Sequence, residues 1–190
     1  QWCPYCCEPC KKLCEDVNCK HCFNNSFASC EKAKYWHPTK NGMTKPRDLV
    51  KGSETFYWFK CYCGHDFESR LDYVNNGRWC SYCCIPCQKL CNDETCEHCF
   101  NNSFASHEKS KYFHPTKNDN TKPRDLIKNS NKNYCFNCNC GHDFAISLKT
   151  ANRGGWCPYC CYPCKKLCED VECNHCFNNS FASHEKSKYW

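Results

Sequence analysis

Apolar positions along this chain come in short runs, none long enough for an extended periodic helix. The run Phe27 to Trp36 follows Asn25-Ser26, a polar pair suited to capping the first N–H groups of a helix, and it ends before Pro38. It predicts a short helix with Cys30 on its first or second turn. His37-Pro38-Thr39-Lys40-Asn41 reads as loop. Pro46-Arg47-Asp48-Leu49-Val50 predicts one helical turn with proline near its first position. The aromatic run Phe56 to Lys60 predicts a strand, and Asp66 to Val74 its hairpin partner. Asn75-Asn76-Gly77 is a turn that brings the chain back.

The pattern then repeats. Trp2, Trp79 and Trp156 each open the phrase Trp-Cys-Pro/Ser-Tyr-Cys-Cys, a spacing of 77 residues both times. A fixed period marks an array, with units at 1–78, 79–155 and, in part, 156–190. Beginning inside one unit and ending inside another, the chain reads as a section of a longer protein or as an array with frayed ends. A unit of this size with few aliphatic residues cannot bury a large core and needs a staple.

Cysteine supplies the candidates, with 27 in 190 residues. Such density suits a disulfide scaffold in a secreted protein, and Asn24-Asn25-Ser26, recurring at Asn101 and Asn178, matches a glycosylation acceptor. The odd count, the many C-x2-C pairs and the lack of a signal peptide or membrane-crossing run favour metal instead. The strongest motif is Cys91-x4-Cys96-x2-Cys99-x7-His107. Its other copies are Cys14, Cys19, Cys22 with Cys30, and Cys168, Cys173, Cys176 with His184. A disulfide partner cannot be histidine, whereas tetrahedral zinc accepts thiolate or imidazole at one corner. A second motif joins Cys61-x3-His65 to Cys80-x2-Cys83, and Cys138-x3-His142 to Cys157-x2-Cys160, in the manner of a zinc ribbon. Cys63 and Cys140 compete with the histidines there, but C-x-C is tight for a knuckle. These assignments predict five zinc ions, three from the first motif and two from the second. Because the second motif straddles the unit boundary, tandem sites predict a rod-like array with little free linker.

Other cysteines stay open. Cys7 with Cys10, Cys84 with Cys87, and Cys161 with Cys164 can form a third zinc site with Cys63 or Cys140 and His21, His98 or His175, or local disulfides, or thiols. Trp-Cys-Pro-Tyr-Cys is similar to the glutaredoxin redox motif, which needs a βαβ context, but here another cysteine follows at once, a proline lies two residues further on, and the middle copy reads Cys80-Ser81-Tyr82-Cys83.

Formal charge is +6 with cysteines neutral. Zinc ligands are thiolates. The one site of four cysteines carries −2 and each of the four sites of three cysteines and a histidine carries −1, which cancels the excess. Overall basicity therefore says little about nucleic acid. The local basic segments, 32–51 and 109–128, have two readings: a solvated face, or a phosphate-contacting stripe through Lys117, Lys122, Arg124 and Lys128. Tyr57, Trp58 and Phe59 likewise read as core or as a base-stacking face.

Trp/Phe-His-Pro-Thr-Lys-Asn, Lys-Pro-Arg-Asp-Leu, Tyr-Trp-Phe-Lys-Cys-x-Cys-Gly-His-Asp-Phe and Gly-Arg-Trp-Cys-x-Tyr-Cys together resemble the zinc-ribbon (treble-clef-like) repeat family, widespread in giant DNA viruses of amoebae and found in bacteria. The resemblance implies zinc binding and a viral origin. Some members are fused to nuclease-like domains, and no such domain is visible here. The expected fold is a small metal-stabilised α+β array of tandem treble-clef/zinc-ribbon repeats. The leading expectation is a non-catalytic scaffold or adaptor that meets a protein partner or viral lattice, in the virion or host-cell cytoplasm, without membrane or small-molecule substrate. The alternative is a nucleic-acid-binding zinc-finger array. A nuclease rests only on His65-Asp66 and on His114 with Asn118, without paired carboxylates or an open three-ligand zinc site.

Overall fold

Each aromatic run forms a strand and pairs with the strand that follows. Strand β1 (Phe56–Lys60) lies antiparallel to β2 (Asp66–Arg70), with Phe59 opposite Phe67. In the computed structural model, which describes residues 3–5, 7–8 and 10–190, the second copy repeats this: β3 (Asn133–Asn137) pairs with β4 (Asp143–Ser147), Phe136 opposite Phe144. The partner segment is shorter than the sequence suggests. After Arg70 the buried positions change from alternation to Leu71 and Val74, a helical spacing, and the chain becomes helix α2 (Leu71–Asn75). Helix α4 (Leu148–Asn152) is its counterpart, begun by Ser147, whose Oγ accepts from the Thr150 N–H at 3.1 Å.

The Phe27–Trp36 run is not a continuous helix. It forms two 3-10 turns, Phe27–Ser29 and Glu31–Tyr35, separated at Cys30, which is extended. The expected capping pair sits elsewhere. Asn25 ends helix α1 (Lys20–Asn25), and the Ser26 hydroxyl donates back to the Phe23 carbonyl at 2.7 Å. The chain then swings away because the Phe27 N–H donates to the Leu49 carbonyl at 2.7 Å and Ser26 bridges to Val50. Helices α3 (Glu97–Asn102) and α5 (Asn174–Asn178) repeat α1. The proline-led turn is present as Pro46–Asp48, and the Asp48 carboxylate accepts from the Lys45 N–H at 3.0 Å.

Two compact units result, Gln1–Gln88 and Lys89–Trp190. The first encloses Phe27, Phe59, Leu71 and Val74, with Trp36 and Trp79 packed against them. The second encloses Phe104, Phe136, Leu148 and Ala151, flanked by Phe113 and Trp156. Phe136 meets Phe104, Phe113 and Trp156 edge-on at 5.6–5.7 Å. Such contacts add about 0.5–1.5 kcal/mol each beyond area burial. Of the three residues read as core or stacking face, Phe59 is fully buried and Tyr57 packs on Trp36 at 5.0 Å, whereas Trp58 carries the Lys40 ammonium 4.4 Å above its ring.

The His-Pro-Thr-Lys-Asn segment braces the hairpin. Asn41 donates from Nδ2 to the Trp58 carbonyl and accepts the Trp58 N–H at Oδ1, both at 2.8 Å. A side-chain amide thus completes an open strand edge as a neighbouring backbone would. Asn118 does the same for Cys135 in the second unit, at 3.0 and 2.9 Å. His37 Nδ1 accepts from the Thr39 and Lys40 N–H groups, and His114 Nδ1 from those of Thr116 and Lys117.

Candidate metal centres

In each copy of the first motif the N–H of the leading cysteine points at the sulfur of the cysteine eight residues on. The Cys14 N–H donates to Cys22 Sγ at 3.3 Å, Cys91 to Cys99 at 3.3 Å and Cys168 to Cys176 at 3.2 Å. Such N–H groups complement the thiolate that a bound ion requires. Cys22, Cys99 and Cys176 lie on α1, α3 and α5 and are buried. The ribbon knuckle Cys61–His65 closes through the Gly64 N–H to the Cys61 carbonyl at 2.9 Å and the Cys61 N–H to the His65 carbonyl at 3.0 Å. Gly64 and Gly141 take φ of +82° and +79°, a region that favours glycine.

Cys61, His65, Cys80 and Cys83 converge with their ligand atoms within 4.8 Å of one another, and all four are buried. Cys138, His142, Cys157 and Cys160 converge in the same way. Tetrahedral zinc places thiolate sulfurs about 3.8 Å apart, and sulfur about 3.6 Å from an imidazole nitrogen. The observed separations are 3.7 Å for Cys138 Sγ to Cys160 Sγ, 3.5 Å for Cys61 Sγ to His65 Nδ1 and 3.7 Å for Cys138 Sγ to His142 Nδ1. A disulfide requires sulfurs about 2 Å apart. The donor sets therefore fit zinc in both geometry and softness. Cys63 and Cys140 stand outside these clusters.

The electrostatics suit anionic ligands unevenly. Burial pushes the Cys83, Cys157 and Cys160 thiols up. Burial also opposes ionisation of Cys138, but hydrogen bonds from the Cys140 and His142 backbone and from the Cys157 and Cys160 thiols outweigh it and hold that thiol low. Burial raises Cys99 to about 12.

The first motif assembles only in part as its spacing suggests. Cys14, Cys19 and Cys22 come together, as do Cys91, Cys96 and Cys99, and Cys168, Cys173 and Cys176. Cys30, His107 and His184 do not join them. Cys30 Sγ donates to Asn75 Oδ1 at 3.1 Å. His107 stacks on Phe104 at 5.3 Å, and its Nδ1 accepts from the Lys109 N–H. His184 stacks on Phe181 at 5.8 Å, and its Nδ1 accepts from the Lys186 N–H. The swing after Ser26, and its counterpart after Ser103, carries the eighth residue past the knuckle toward the hydrophobic cluster. The ring facing the third knuckle is His142, whose Nε2 lies 3.2 Å from Cys173 Sγ and 3.4 Å from Cys176 Sγ. Its distance in sequence gave no signal.

The remaining cysteines make no third cluster among the described residues. Cys161 Sγ donates to the Pro158 and Pro163 carbonyls, and Cys164 Sγ to those of Tyr159 and Lys166. Cys6, in the first copy of the redox-like phrase, lies outside the described residues.

The basic stripe is mostly committed internally. Lys117 pairs with Asp143, Arg124 donates to the Asp93 carbonyl at 2.8 Å, and Lys128 to the Asn101 carbonyl at 2.8 Å. Lys122 is exposed. Arg124 also reaches Cys91. Burial works against the Cys91 thiolate, yet bonds from Cys99, the Asp93 backbone, Cys96 and Arg124 keep that thiol below its ordinary range. Of the groups suggestive of a nuclease, His65 belongs to a metal cluster, His114 pairs with Asp143 at 3.4 Å, and Asn118 braces a strand.

Comparison with known proteins agrees with this geometry. Residues 33–86 and 109–163 each match the family described as "Probable Treble clef zinc finger domain". An uncharacterized protein of Acanthamoeba polyphaga mimivirus is 36% identical over 185 residues, 94% of this chain and 43% of the relative. The chain thus spans less than half the length of that viral protein. No helix among the described residues is long and apolar enough to cross a membrane. With two hairpin-and-knuckle repeats, four-donor clusters at zinc spacing and both repeats matched, this chain belongs to the treble clef zinc finger family.

Proposed function

We propose that the chain is a non-catalytic, zinc-stapled repeat module acting as a scaffold or adaptor. The observation that carries this is closure. Each ribbon cluster offers four protein donors, so a bound ion keeps no position for water or substrate. Structural zinc of this kind contributes folding energy, roughly 10–16 kcal/mol of apparent binding free energy per site. Five ions remain the expected content, one per copy of each motif. The mimivirus relative supports a viral setting; within it the proposed place is the particle or host-cell cytoplasm, and the proposed partner another protein or the viral lattice.

The alternative, an array that binds nucleic acid through the basic stripe, is weakened by the internal partners of Lys117, Arg124 and Lys128. The test is binding of the zinc-loaded chain to generic duplex DNA across a salt series. The scaffold reading expects weak binding with little salt dependence. A steep fall in affinity with salt, reduced when Lys117, Lys122, Arg124 and Lys128 become alanine, overturns it.

A further inference from the structure

The two ring nitrogens of His142 face two different sets of thiols. Nδ1 lies 3.7 Å from Cys138 Sγ, within the cluster that Cys157 and Cys160 complete. Nε2 lies 3.2 Å from Cys173 Sγ and 3.4 Å from Cys176 Sγ, within the cluster that Cys168 completes. The two nitrogens of an imidazole point in divergent directions in the ring plane, so once its N–H proton is lost one ring can serve two ions without competition.

We propose that His142 bridges two zinc ions as an imidazolate, coupling the ribbon centre to the third knuckle in one binuclear site. The inference rests on the zinc reading above. Nδ1 gives its lone pair to the ion held by Cys138, Cys157 and Cys160. The ring proton leaves Nε2 for solvent as that nitrogen takes the ion held by Cys168, Cys173 and Cys176. Each ion then has three thiolates and one nitrogen, a usual structural set. Without the bridge the third knuckle keeps only three donors among the described residues, since His184 is turned onto Phe181.

The surroundings hold the ring for this task. His142 is 7% exposed. It lies against Tyr159 at 4.9 Å and meets the His175 ring edge-on at 5.8 Å. The Cys138 N–H donates to the His142 carbonyl at 3.0 Å and fixes its backbone. Two Zn–N bonds of about 2 Å on either side of the ring place the ions about 6 Å apart.

The test is NMR of the full chain labelled with 15N-histidine and loaded with 113Cd as a zinc substitute, the His142 signals being those lost in His142→Gln. A bridge gives one-bond cadmium coupling at both nitrogens and no ring N–H. Coupling at Nδ1 alone, with a proton kept on Nε2, overturns the bridge while leaving the metal reading intact. Failure to take up cadmium or zinc at all, read by native mass spectrometry, overturns both. His184→Ala should keep the full zinc count. Loss of one ion in that variant returns the fourth position to His184 and removes the bridge.

Discussion

Arg124→Gln separates metal support from nucleic-acid contact. The guanidinium donates to the Asp93 carbonyl at 2.8 Å and favours the Cys91 thiolate, and its Nε is buried without an acceptor among the described residues. A hydrogen bond involving a charged group contributes about 1.5–3 kcal/mol. Removing a group that supports a metal ligand lowers affinity about 10–100-fold, which is about 1.4–2.8 kcal/mol. The two figures agree, so Arg124→Gln should weaken zinc at the Cys91–Cys96–Cys99 knuckle by that factor. Arg47 donates to the Asp16 carbonyl at 2.9 Å, so Arg47→Gln is expected to do the same at Cys14. Competition against a chromophoric chelator reads the change as one class of ion released early. Unchanged zinc affinity in Arg124→Gln, with lost DNA binding, would refute the reasoning and make the arginine a phosphate contact.

Phe136→Ala removes a fully buried ring from the second unit and should cost about 3–5 kcal/mol, seen as a lower denaturation midpoint of the zinc-loaded chain. A strong chelator should abolish the hairpin signals in circular dichroism at neutral pH, since the aromatic clusters are too small to hold the units alone. Zinc affinity should rise with pH, because burial raises Cys99 to about 12 and the ion must displace its proton. Proton release in calorimetry run in two buffers checks this. Lys117→Ala should leave the denaturation midpoint nearly unchanged, because its pair with Asp143 is half-exposed and screened by solvent.

The strands were legible because Phe56–Lys60 is aromatic and its partner begins at Asp66, one short turn downstream. Helix α1 was not. It has six residues, and its leading residue, Cys19, makes no side-chain cap, so neither periodicity nor a capping residue announces it. The convergence of the ribbon residues was legible because both pairs are local. The nearness of His142 to the third knuckle was not, because spacing arguments look downstream for the nearest histidine and find His184. They also give each histidine to a single ion. Only the fold shows that both nitrogens of one buried ring face sulfur. The bracing role of Asn41, read as loop, and of Asn118, read only as a nuclease candidate, was hidden because an amide that completes a strand edge leaves no trace in hydrophobic pattern.

The boundary between the compact units falls after Gln88, ten residues beyond the period set by the tryptophans. A fragment cut at residue 78 would strip the first hairpin of Cys80 and Cys83 and leave Cys61 and His65 with half a cage. Ending the fragment at residue 88 would carry the whole cage along. Recombination or domain grafting among such proteins must therefore exchange segments out of phase with the visible repeat, or each junction would deliver a broken chelate.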